Sequence, residues 1–155
     1  MIDTGEKIMD MEKGTITDIF VYEHRGASPR PVTSCQATVQ DGLADDWHGQ
    51  DVDRQISILS EEAREQKEGF CLKKFKENIR TRGMDLAQVK PGDQLKTSQV
   101  TFEITGVFKK CYPDLCPLAQ SGKPCLLRDH ALFARVSKGG TLHAGDDISR
   151  EPASK

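Results

Sequence analysis

Apolar and polar residues alternate most clearly at Val100, Phe102 and Ile104, with Thr101, Glu103 and Thr105 between them. A period of two puts one set of side chains on a buried face, so this stretch predicts a half-buried β-strand. Gly14 to Tyr22 is rich in β-branched and aromatic residues and predicts a first strand. Cys35, Ala37 and Val39 alternate with Ser34, Gln36, Thr38 and Gln40, predicting another strand in which Cys35 is a small core side chain. The apolar runs Arg54 to Leu59 and Ala131 to Val136 predict two more.

One helix interrupts this pattern. Ser60 can cap it, Glu61 and Glu62 suit the positive end of its dipole, and Gly69 closes it after Glu68. An Arg64–Glu68 pair would support it from its surface face. The remaining stretches read as punctuation. His24 to Pro31 is a loop, Phe70 to Ile79 mixes large apolar residues with lysines, and Met84 to Val89 is irregular. Thr81 to Gly83, Lys90-Pro-Gly-Asp93, Lys138 to Gly140 and Gly145 to Asp147 are turns. Many short strands with frequent glycine turns predict a mainly β domain, a barrel or sandwich, over residues 14–148. A flexible segment 1–13 and a disordered tail 149–155 would flank it.

Composition narrows the function classes. A chain of 155 residues can bury a core as one domain, and its net charge of −2 gives no sign of nucleic-acid binding. No run approaches the roughly 20 apolar residues that span a bilayer. The first ten residues lack the apolar core and basic flank of a signal peptide, so a cytoplasmic location is expected.

The chemistry concentrates in Phe108 to Arg128. This stretch carries Cys111, Cys116 and Cys125, with Pro113, Pro117 and Pro124 excluding regular helix or central strand. Lys109, Lys110, Lys123 and Arg128 are near these cysteines in sequence, and nearby cations favour thiolate, the form that attacks electrophiles and ligates metals. In a reducing compartment such cysteines point to metal binding, catalysis or redox sensing. A second cluster, Asp41-Gly-Leu-Ala-Asp-Asp-Trp-His-Gly49, puts acids, the only tryptophan and a histidine together. It either lines a site or is a solvated acidic loop with Trp47 packed down.

In order, these pieces resemble the MOSC domain, the module found at the C-terminus of molybdenum cofactor sulfurases and as small stand-alone proteins. The matching pieces are Gly42 to His48, Arg54 to Leu59, Phe75-Lys-Glu-Asn-Ile79 through Gly83, and Lys90 to Asp93. The strand ending at Cys111 and the closing stretch Val136 to Ile148 complete the set. The resemblance implies a closed, strongly curved β-barrel with a few short helices. It also implies that Cys111 is the functional residue, carrying sulfur or contacting molybdenum. The family's Gly-Asp-x-His element corresponds to Asp45-Asp46-Trp47-His48, so Asp45 replaces a glycine that would permit positive φ. Arg54, Glu77 and Asn78 match positions that face the family's cleft.

Three chemistries follow from these residues. In the first, Cys111 takes a sulfane sulfur as a persulfide or binds the molybdenum cofactor, sulfur being a soft ligand. Arg54, Lys109, Lys110 and Arg128 would neutralise a molybdopterin phosphate, while Asp46 and His48 orient the pterin or shuttle a proton. Nothing resembles a pyridoxal-phosphate domain, so sulfur would come from a partner such as a cysteine desulfurase and pass to a molybdoenzyme or cofactor-biosynthesis protein. In the second, Cys111, Cys116, Cys125 and His130 bind zinc or an iron–sulfur group, at spacings wider than usual for zinc. In the third, bound molybdenum cofactor reduces N-hydroxylated compounds with electrons from a partner. No Gly-x-Gly-x-x-Gly motif for a nicotinamide or flavin cofactor occurs.

Overall fold

The computed structural model describes residues 13–51, 53–65, 75–107 and 131–152. Seven strands close into a mixed barrel: β1 (Lys13–Val21), β5 (Ile56–Ser60), β6 (Ile79–Arg82), β7 (Gln94–Lys96), β8 (Thr101–Val107), β9 (Ala131–Lys138) and β11 (Asp147–Glu151). Round the ring the order is β11-β7-β8-β9-β5-β6-β1, and β1 pairs back onto β11 to close it. Strand β2 (Arg30–Val32) extends the sheet from β1. A separate three-stranded sheet holds β10 (Gly140–His143), β3 (Ser34–Thr38) and β4 (Gly42–Leu43) in that order. The chain is therefore mainly β, as its patterning predicts, and of the two architectures that the pattern allows it forms the closed barrel that the resemblance implies.

Among the described residues the buried interior is mostly aliphatic, with Phe102 and Tyr22 as its aromatics. Ile16, Ile58, Ile79, Leu95, Phe102 and Ile104 are buried, and each contributes about 1.5–3 kcal/mol by leaving water. Every residue of β5 is buried, its two serines included, which explains its largely apolar reading. It runs parallel to β6, with Ile58 opposite Ile79, and such a pair needs a long crossover that covers it. That crossover begins with α1 (Glu61–Arg64), whose N-cap Ser60 accepts from the amide of Ala63. The expected helix runs on to Glu68, but residues beyond Glu65 lie outside those described. Arg64 binds Glu77, and Glu68, its expected partner, lies outside the described residues.

Several strands form where the local sequence reads otherwise. Ile79-Arg-Thr-Arg82, half of it expected as a turn, is β6, held between β5 and β1 by partners distant in sequence. Arg30-Pro-Val32 lies mostly in the expected loop; its proline is tolerated because β2 is the sheet's edge. Ser149, Arg150 and Glu151, expected in the tail, pair with Lys96, Leu95 and Gln94. Val39, expected to alternate inward, is 55% exposed because β3 ends at Thr38 and the chain turns.

Candidate functional site

Asp46 is the centre of a buried polar cluster. Its side chain is fully buried, and it caps a 3-10 turn over Trp47–Gln50. Oδ2 accepts from the amide of His48 at 3.2 Å and faces His48 Nδ1 at 3.1 Å. Oδ1 accepts from the amide of Tyr22 at 2.8 Å and from Asn78 Nδ2 at 3.1 Å. One carboxylate thus ties the end of β1, the entry to β6 and the turn carrying His48. Four contacts satisfy a group that would be costly to bury alone.

The residue before it settles the question raised by the missing glycine. Asp45 has φ +65°, in the left-handed region. Aspartate is among the few residues that visit this region routinely, so the backbone shape that glycine would permit is kept. The Asp45 carboxylate points outward, 77% exposed and 3.8 Å from Arg30.

Asn78 and Glu77 were expected to face a cleft; both make internal bonds. Asn78 is fully buried, accepts from the amide of Ser57 at 3.0 Å and donates to the carbonyl of Phe20 at 3.1 Å. Glu77 has a 4% exposed side chain held between Arg64, at 2.5 Å, and Arg80, at 3.0 Å. Its carbonyl accepts from the Tyr22 hydroxyl at 3.0 Å. These residues support the Asp46 cluster from behind.

Burial, and then the Glu77 carboxylate, push the Tyr22 phenol well above its ordinary range. Because the folded pKa is raised, Tyr22 contributes stability that is complete below the unfolded value and lost as pH rises past it. Wild-type unfolding free energy should therefore decline above about pH 10. Tyr22→Phe should lose about 1 kcal/mol at neutral pH and show a smaller alkaline decline. Urea melts of both proteins from neutral pH upward check this; parallel curves would refute it.

Arg54 lies two residues before β5. Its guanidinium lies over the Phe133 ring, 4.6 Å from the centroid, and Phe133 in turn packs near Phe75. A ladder of backbone pairings links the two clusters. Gly106 is opposite Phe133, and Phe133 is opposite Ser57. The amide of Asn78 donates to Ser57, and the amide of Phe20 to Asn78. Gly106 and Asn78 are therefore three strand spacings apart, about 15 Å along the sheet. Cys111, Cys116, Cys125, Lys109, Lys110, Arg128 and His130 lie outside the described residues, in the segment that leaves from Val107 and returns at Ala131. Cys35 is half-buried against the core, and burial pushes its thiol pKa up, as fits an inert packing residue.

Beside the turn is an open cavity of about 800 Å³, lined among others by Glu23, Arg30, Asp41, Asp45, Trp47 and Gln50. The acidic stretch borders this cavity. Its outer carboxylates are solvated, while Trp47 packs on His48 with ring centroids 4.3 Å apart. Sequence reasoning missed Tyr22, whose contribution to Asp46 is a backbone amide that no residue type advertises. It also missed Gly49, which is buried where the turn passes close to the backbone of Asp41.

No family model matches the chain, and no curated protein matches it. Among solved structures it is similar to the YUAD protein from Bacillus subtilis, with TM-score 0.69 and 17% identity, covering 92% of this chain and 97% of that one. YiiM from Geobacillus stearothermophilus matches with TM-score 0.60 and 17% identity, over 89% of this chain and 75% of that one. YiiM from Escherichia coli matches with TM-score 0.58 and 18% identity, over 92% and 71%. These are small proteins of MOSC-domain type, and at such identities the likeness speaks for the fold alone. The closed barrel and these neighbours together give the chain a MOSC-like fold.

Proposed function

We propose that this domain is a sulfur carrier in molybdenum cofactor sulfuration, with Cys111 as the carrying residue. The observation behind this reading is the ladder from Gly106 through Phe133 and Ser57 to Asn78. It starts the cysteine-bearing segment about three strand spacings from the Asp46–His48 pair. Cys111 follows Val107 by four residues, so its Cα is tethered within about 14 Å of that strand end.

The chemistry balances as an exchange. The Cys111 thiolate attacks the outer sulfur of a donor persulfide, such as that of a cysteine desulfurase. A new S–S bond forms on Cys111, the donor's S–S bond breaks, and the donor leaves as thiolate. Delivery is the same exchange in the other direction: a thiolate of a molybdoenzyme or cofactor-biosynthesis partner attacks the outer sulfur, the new S–S bond forms on the partner, and the electron pair of the broken S–S bond remains on Cys111. A resident molybdenum cofactor fits the described residues only in part. The cavity beside Trp47 gathers Glu23, Asp41 and Asp45 around one arginine, the wrong balance for a phosphate. Arg54, stacked and exposed, has the right charge for one.

Intact-mass spectrometry tests the carrier. Wild-type protein incubated with a cysteine desulfurase and L-cysteine should gain the mass of one sulfur atom, removable by dithiothreitol. Cys111→Ala should gain none. Loading of the variant at the wild-type level would overturn the assignment.

A further inference from the structure

The hydrogen bonds around Asp46 form a chain whose every proton is dictated by the backbone at its far end. The amide of Ser57 can only donate, so the Asn78 side-chain oxygen must face it. The carbonyl of Phe20 can only accept, so the Asn78 nitrogen must face that. The orientation of this amide, ordinarily ambiguous between oxygen and nitrogen, is fixed at both ends. Asn78 Nδ2 then directs its second hydrogen to Asp46 Oδ1, which also receives the amide of Tyr22. Both lone-pair directions of Oδ1 are occupied by donors. Oδ2 receives the amide of His48, and its remaining neighbour is His48 Nδ1.

A carboxylate surrounded by donors has only acceptor capacity left to offer, so the hydrogen between Asp46 and His48 belongs to Nδ1. In the neutral imidazole the lone pair is then on Nε2. Two aromatic contacts hold the ring plane while 18% of the side chain stays exposed: Trp47 at 4.3 Å and Tyr22 edge-on at 5.4 Å.

We infer that Asn78 and the Tyr22 amide act as positioning groups whose output is the tautomer of His48: hydrogen on Nδ1, lone pair on Nε2. The consequence is chemical selectivity. His48 presents an acceptor, so it meets ligand groups that donate, an S–H or an N–H, and is mismatched to carbonyl or phosphate oxygens. On the carrier reading, on which this step rests, such a lone pair suits the proton that a thiol gives up on becoming an attacking thiolate, and the resulting imidazolium is stabilised by Asp46. The same logic makes a carboxylate-to-amide change beside a catalytic histidine costly through the wrong tautomer.

The test is nuclear magnetic resonance of the full chain with ¹⁵N-labelled histidine, His48 being assigned by comparison with His48→Gln. In wild type, at a pH where the imidazole is neutral, long-range ¹H–¹⁵N correlations should show Nδ1 protonated. Asp46→Asn should invert this, because an amide nitrogen facing Nδ1 makes that atom the acceptor. Asn78→Ala should give a mixture. Should Asn78→Ala fail to fold, Asp46→Asn decides. Sulfur loading of Cys111 should slow about a hundredfold in Asp46→Asn, the ordinary size of a lost proton-transfer contribution. An Nε2-protonated wild type, or variants that keep the wild-type tautomer, would overturn the inference. The tautomer is read without any sulfur donor, so a failure of Cys111 to load sinks the carrier and leaves the positioning result standing.

Discussion

Glu77→Ala is expected to lower the unfolding free energy by about 3 kcal/mol, with a fall in Tm of about 6–12 °C. The Glu77 side chain is 4% exposed and receives Arg64 through two nitrogens, at 2.5 and 3.1 Å. Arg80 reaches it through two more, at 3.0 and 3.1 Å. Removing the carboxylate leaves two guanidinium groups facing each other with their central anion gone. Both arginines are about a quarter exposed, so water can partly replace the lost partner, and the low end of the range for broken buried pairs applies. Arg64 also donates to the carbonyl of Phe75, so the same group fastens the end of the crossover that makes the parallel β5–β6 pair possible. Glu77→Gln keeps the shape but not the charge and should lose about half as much. Urea denaturation, with midpoints compared at unchanged slope, measures both. A loss below about 1 kcal/mol for the alanine variant would show that the network is decoration on an already stable crossover.

The same region shows where sequence reading reaches its limit. Strand β5 is legible because burial on both faces favours a largely apolar run, here Ile56, Ile58 and Leu59, and β8 because one buried face demands alternation. Strand β6 is not. Its arginines and the following Gly83 resemble a turn, and it becomes a strand only because Ile58 and Ile19 both pair with Ile79. Nothing local records those partners. At the site, Asp46 and His48 are legible as part of an ordered set of motifs, and the structure joins them at 3.1 Å. Asn78 is legible as a residue of interest but not in its role, which depends on the backbone groups of Phe20 and Ser57 at its two ends. Asp45 reads as a departure from glycine, yet only the torsion angle shows that the left-handed backbone is retained.

Gly49→Ala is expected to cost about 3 kcal/mol and to displace the turn that carries His48. A Cβ at this position would be 1.7 Å from the carbonyl oxygen of Asp41 and 2.5 Å from its carbon. Both obstructing atoms are backbone, so no side-chain rotation relieves the overlap. Either the Asp41–Gly42 turn or the Trp47–Gln50 turn must move. The second is held by Asp46, and Gln55 Nε2 also reaches the Gly49 carbonyl, at 3.5 Å, so the strain is transmitted to the Asp46–His48 contact. Gly26→Ala provides the contrast. Its φ of +84° penalises any side chain, but its Cβ would meet nothing within 4 Å, so about 1 kcal/mol of conformational cost should be the whole effect, with His48 unmoved. Urea melts separate the two energies, and the His48 imidazole resonances report whether the turn has shifted. If Gly49→Ala melts within about 1 kcal/mol of wild type with unchanged His48 signals, the turn does not press on Asp41. The buried carboxylate alone would then have to account for the placement of His48.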